Sequence, residues 1–75
     1  MSESQVLGAM ILDNSLVSSY PVDHEDFADH ANSAIYYVLT GLVAADKPAG
    51  IDGIVDSLLK TTGRDYLAEV ASLAA

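Results

Sequence analysis

Cysteine is absent from this chain. No disulfide framework and no thiolate metal site can therefore be built. Basic side chains are nearly absent as well. Lys47, Lys60 and Arg64 stand against eleven carboxylates, and the formal net charge is −8. Affinity for nucleic acid comes mainly from Lys and Arg displacing counterions from phosphate, so a surface of this sign repels DNA and RNA. The expectation is no direct nucleic-acid contact. A long apolar run is also missing. The longest uncharged stretch, 31–45, is shorter than the roughly 20 residues a membrane span needs. Asn32, Ser33, Thr40 and Gly41 interrupt it, so it reads as a buried helix and no membrane contact is expected. The opening residues Met1 to Gln5 are acidic and polar. They have no basic n-region of a secretory signal, and the cytoplasm is the simplest expectation.

Catalytic signatures are missing too. No glycine is followed by Lys and then Ser or Thr, so there is no P-loop. There is no Gly-rich dinucleotide turn after a strand, and no serine sits in a nucleophile elbow. The nearest thing to a metal set is His24-Glu25-Asp26-Phe27-Ala28-Asp29-His30. Two imidazoles and three carboxylates have the right chemistry, but His24 and His30 are six apart and do not share a helical face. Asp26 and His30, at i and i+4, read instead as a surface pair near a helix start. The remaining carboxylates look like solvated faces and helix caps, with nothing pairing them for acid–base work. The chain is expected to be no enzyme, with no cofactor and no metal.

What the chain does have is a hydrophobic fraction of 51%, much of it Ala, Leu and Val. That favours packed helices over disorder. The length, 75 residues, allows one domain, 1–75, with a modest core. The most hydrophobic block is Val6 to Asn14. Ser2 or Ser4 is expected to cap this first helix, with Glu3 near its positive end. Leu7, Met10 and Ile11 fall on one face, widened by Val6. Gly8 costs about 1 kcal/mol relative to alanine inside a helix. Its expected use is to let another helix approach closely, beside Ala9; a kink is the alternative.

Asn14 is expected to cap a short second helix through Leu16, Val17 and Tyr20, ended by Pro21. The segment from Val22 to Asp26 then reads as an acidic turn, with Phe27 anchoring it in the core. The third and longest helix spans about Ala28 to Ala45. Ile35, Val38, Leu39 and Leu42 have buried-stripe spacing, extended by Ala31, Ala34 and Val43. Its wide apolar face makes it the expected central helix. Tyr36 and Tyr37 point about 100° apart, so at least one should reach the surface, to touch a partner or to cover the core edge. The sequence 46–50 reads as a loop. Asp52 is expected to cap a fourth helix carrying Ile54, Val55, Leu58 and Leu59, with Lys60 in its last turn and Gly63 as its stop. Asp65 is expected to open a last helix with Tyr66, Leu67, Val70, Ala71 and Leu73. The fold class is all-α: a compact bundle of about five short helices around a longer central one.

The ordered fragments resemble a family. Glu3, Gln5 and the run Val6-Leu7-Gly8-Ala9-Met10-Ile11-Leu12-Asp13-Asn14 are similar to the opening of the N-terminal domain of DnaB-type replicative helicases. Glu25-Asp26-Phe27 resembles the acidic turn before that domain's central helix, and Ile35-Tyr36 the Ile-aromatic pair within it. Pro48, the helix ending Ser57-Leu58, and Tyr66-Leu67-Ala68-Glu69-Val70 resemble its later helices. Together they cover nearly the whole chain. The departures are a non-basic stretch after Phe27 (Ala28-Asp29-His30-Ala31-Asn32) and a short Thr61-Thr62-Gly63-Arg64 connection. In addition, the helical hairpin, linker and RecA-like ATPase with which the family continues lie outside these 75 residues. By themselves these residues are not expected to unwind DNA.

The resemblance implies a non-catalytic DNA-replication interaction module. Its expected partners are a primase, a helicase loader or a DnaB-type helicase, with the head itself a monomer or weak homodimer. The candidate contact residues are Asp23, Glu25, Asp26 and Asp29 in and beside the acidic turn, Tyr36 or Tyr37, and Lys47. Two other readings are a stand-alone acidic helical adaptor or inhibitor that binds a basic protein, of phage or plasmid type, and a small metal-dependent enzyme built on His24 and His30. The acidic surface itself either steers a basic partner or only keeps the chain soluble.

Overall fold

The computed structural model describes residues 3–19 and 27–75. Its elements are α1 (Glu3–Leu12), a 3-10 helix (Asn14–Ser19), α2 (His30–Ala44), α3 (Ile51–Thr62) and α4 (Leu67–Ala74). Among the described residues there is no strand, and the all-α expectation holds. The four α-helices follow one another around a ring: α1 packs on α4, α4 on α3, α3 on α2, and α2 on α1. Expectations that fall on Ser2, Tyr20, Pro21 and 22–26 lie outside the described residues.

The core is made by the spaced apolar residues of each helix. Leu7, Met10 and Ile11 come from α1; Ile35, Tyr36, Val38 and Leu39 from α2; Ile54 and Leu58 from α3; and Val70 from α4. Leu59, on the same helix α3, is 47% exposed. It follows Leu58 by one position, so it points about 100° away from the buried stripe.

Gly8 is where two helices meet. A methyl group there would run into the backbone carbonyl of Leu73, with the carbonyl carbon 3.1 Å from that methyl. The close-approach reading of Gly8 is therefore right, and the approaching helix is α4. Gly41, by contrast, has open space around it.

The helix ends show where sequence reading slipped. Ser4 lies inside the first turn of α1, so it is not the cap. Asp13, not Asn14, caps the 3-10 helix: its Oδ1 accepts from Ser15 N at 3.1 Å and from Ser15 Oγ at 2.6 Å. Asn14 is committed elsewhere. Its Nδ2 donates to Met10 O at 2.9 Å and to Ala49 O at 3.1 Å, while its Oδ1 accepts from Ala49 N at 3.1 Å. One side-chain amide thus pins the α2–α3 connection to the end of α1, and satisfies both backbone groups of a fully buried residue.

Asp29 caps α2, accepting from Ala31 N at 2.8 Å and Asn32 N at 3.1 Å. At the other end of α2, Asp46 N donates to Val43 O and Lys47 N to Leu42 O. This is a Schellman stop with Asp46 in the left-handed position, φ 58°. α3 starts one residue after Gly50, so Asp52 sits in its first turn and does not cap it. Lys60 and Gly63 are placed as expected, with Gly63 left-handed at φ 75°. Asp65 supports the start of α4 from one position before the cap Tyr66, accepting from Leu67 N at 2.9 Å.

Candidate protein-interaction surface

Burial sorts the candidate contact residues. Tyr36 is 5% exposed and its ring lies 5.0 Å from that of Phe27, centroid to centroid, tilted by 38°. It is a core residue, and Phe27 anchors on it as expected. Tyr37 is 61% exposed. It borders a groove between α2 and α3 with Ala34 and Val38 beside it, Leu58 opposite, and His30 and Thr62 at the end. Asp29 is exposed one residue before α2 and Lys47 is exposed beyond its other end. Some 15 helical residues separate them, or about 22 Å along the axis. Tyr37 follows Asp29 by eight positions, about 12 Å along the axis of α2. Lys47 is not brought near them. Asp23, Glu25 and Asp26 lie outside the described residues, as does His24. Among the described residues, no group of three or more His, Cys, Asp and Glu side chains is placed to hold a metal ion.

One polar link escaped the sequence reading. Glu3 reaches from the start of α1 to the start of α2. Its carboxylate accepts from Ala28 N at 3.1 Å, Asp29 N at 3.4 Å and Asn32 Nδ2 at 3.1 Å. The Asn32 bond, followed by the two backbone bonds, holds the Glu3 pKa below its ordinary 4.5, against the opposing effects of desolvation and the neighbouring Asp29 charge. The partners are 25 to 29 positions apart, so no local spacing could have pointed to them.

Two basic groups are engaged on the surface. Lys60 pairs with Asp56 at 3.1 Å, with both side chains well exposed. The Arg64 guanidinium sits 5.0 Å above the Tyr66 ring. Such contacts on an open surface contribute little to stability. On α4, Glu69 keeps one carboxylate oxygen buried without a hydrogen bond among the described residues. A second groove runs between α1 and the last turn of α4. Leu12, 71% exposed, stands at its edge.

The surface thus exposes apolar and aromatic side chains, Leu12 and Tyr37 among them, on a chain of net charge −8. Comparison with known families decides the relationship. The family model of the DnaB-like helicase N-terminal domain matches residues 1–75, the whole chain.

The chain belongs to the DnaB-like helicase N-terminal domain family. No curated protein matches it significantly. The family makes it a replication-related helicase domain and ties it to replication-protein interactions in general. In this DnaB-like domain, the residues that carry the resemblance are largely those that build the fold. Leu7, Met10, Ile11, Ile35, Tyr36 and Val70 form the core, Gly8 admits α4, and Asn14 pins the loop. Much of the family signature is thus a folding signature. No helix of the described residues is long and apolar enough to cross a membrane.

Proposed function

We propose that this domain is a non-catalytic interaction module of DNA replication that binds a primase, a helicase loader or a DnaB-type helicase in the cytoplasm. The observation that carries the reading is the family match over the whole chain. It is supported by a core built largely from signature residues and a surface that leaves Tyr37 exposed. The sequence carries no phosphate-binding loop, in keeping with a role in contact, not turnover. Tyr37 and Asp29, both exposed, form the proposed contact, with Asp23, Glu25 and Asp26 preceding them in sequence. Lys47 is a separate contact at the other end of α2. The domain itself is taken to be a monomer or weak dimer.

A second reading has one observation in its favour. Eleven carboxylates against three basic side chains also suit a stand-alone adaptor or inhibitor that engages a basic protein. Calorimetric titration against the cognate primase region, loader and helicase separates the two. Heat with one of the three, weakened by Tyr37→Ala, supports the replication module. No heat at about 100 μM, a concentration that detects even weak complexes, removes it and leaves the adaptor.

A further inference from the structure

The carboxylate of Glu3 reaches residues that stand ahead of α2. The first turn of that helix is already served, because Asp29 Oδ1 accepts from Ala31 N and Asn32 N. The backbone groups that Glu3 takes are Ala28 N at 3.1 Å and Asp29 N at 3.4 Å. One precedes the cap, the other belongs to the cap residue, and both come before His30, where α2 begins. These bonds therefore order the chain as it enters α2, at the end of the acidic stretch from Asp23 to Asp29. From the helix side, Asn32 Nδ2 donates to Glu3 Oε1 at 3.1 Å and keeps the carboxylate in place.

Asp29 is thus held twice, once by its own capping bonds and once by Glu3. Both capping bonds fall on Oδ1, and the residue is exposed. Its charge stays open to a partner. Neither α1 nor α2 carries a Lys or Arg, and His30 is the one imidazole beside Asp29. A basic side chain from a partner meets this carboxylate with no competing Lys or Arg from either helix. A contact fixed before the partner arrives also costs less ordering on binding.

We infer that Glu3 is a positioning residue of the partner contact: from α1 it fixes the backbone at Ala28 and Asp29, and so holds the Asp29 carboxylate ready for a basic group of the partner. This rests on the reading of the domain as an interaction module that uses Asp29, and adds to it a residue from another helix. The test uses the full chain and whichever of the primase region, loader and helicase gives heat in the titration above. Every variant is compared at a temperature where circular dichroism shows it folded. Glu3→Ala removes all three acceptor contacts. It should speed hydrogen exchange at the Ala28 and Asp29 amides and weaken binding about tenfold. Glu3→Gln, which keeps one acceptor oxygen, should fall between it and wild type. Asn32→Ala keeps the Glu3 charge but removes one tie, and should weaken binding several-fold. Asp29→Asn keeps a capping side chain and loses the charge. In that background Glu3→Ala should weaken binding by less than about twofold, because the two residues serve one contact. Val55→Ala, half-buried on α3 away from the link, should bind as wild type.

Unchanged exchange at Ala28 and Asp29 in Glu3→Ala would overturn the inference. So would unchanged binding by Asn32→Ala, which would mean that Glu3 acts through its charge alone. A full further loss in the Asp29→Asn background would show two independent roles and overturn it as well. Equal weakening by Val55→Ala would reduce the effect to stability. Affinity left unchanged by Glu3→Ala removes the inference and leaves the module standing. Absence of heat with every partner removes the module, and this inference with it.

Discussion

Two single residues do more than their size suggests, and each gives a test. At Gly8 the helix pays for glycine in order to let α4 in. An alanine in an open helical position gains up to about 1 kcal/mol over glycine. At Gly8 the added methyl meets the Leu73 carbonyl, which is backbone and cannot swing aside. We expect Gly8→Ala to lose about 1–3 kcal/mol through overpacking. Gly41→Ala, with nothing nearby, should gain about 0.5–1 kcal/mol. Urea melts of the pair check this, and a stabilised Gly8→Ala would mean that α1 and α4 do not pack this closely. Asn14 is the second case. Removing its amide leaves the buried Ala49 N–H and C=O unpaired. Asn14→Ala should therefore cost about 2–4 kcal/mol. Asn14→Asp should cost at least as much at neutral pH, because a carboxylate cannot donate to the carbonyls of Met10 and Ala49. A melt of Asn14→Asp near that of wild type would rule out this pairing.

Among the elements, the end of α2 and the link between α1 and α2 are the places to press. Asp46 holds the left-handed position of a Schellman stop, where glycine is free of the side-chain penalty. Asp46→Gly should stabilise by about 0.5–1 kcal/mol relative to Asp46→Asn, which controls for the lost charge. A lower denaturation midpoint for the glycine variant would argue against that backbone conformation. The Glu3 latch predicts a pH effect. Its folded pKa lies below its ordinary 4.5, so the folded state favours the ionised form. The stabilisation is present above that ordinary value and is lost as pH falls through the lowered folded one. Glu3→Gln should melt below wild type at neutral pH, and the gap should close on acidification. A gap that stays constant with pH would show that the latch is not ionic. These two elements also show what the sequence could reveal. The apolar spacing of α1, α2 and α3 is local, and it placed Leu7, Ile35, Leu39, Ile54 and Leu58 inside. The caps slipped by a residue or two, because several polar side chains near a helix end compete for the same amides. Asp13 took the position that suited Asn14 equally well by type. The ties from Asn14 to Ala49 and from Glu3 to Asn32 cross 25 or more positions, where no periodicity applies. For the candidate surface, adjacency alone showed that one of Tyr36 and Tyr37 must differ from the other. Tyr36 is the one inside, with its ring against Phe27.

At the scale of the whole molecule, charge sets the strongest constraint on function. Three basic groups face eleven carboxylates, and two of the three are engaged, Lys60 with Asp56 and Arg64 with the Tyr66 ring. A DNA-binding surface needs several Lys or Arg side chains gathered on one face, each displacing a counterion. Here Lys47 lies past one end of α2, while Lys60 and Arg64 sit near the junction of α3 with α4. The positive charges are few and scattered, and the net field repels phosphate at every approach. We therefore expect that membership in a helicase-related family does not bring DNA binding with it for this domain. We expect no binding to single- or double-stranded DNA at physiological salt, measured by fluorescence anisotropy with labelled oligonucleotides. Lowering the salt should not rescue it. Weakly basic proteins gain affinity as counterion release becomes more favourable, whereas this chain repels the duplex more strongly once screening is removed. Micromolar affinity, or binding that strengthens at low salt, would show that charge does not govern this surface, and with it would go the argument that the domain works through protein contacts alone.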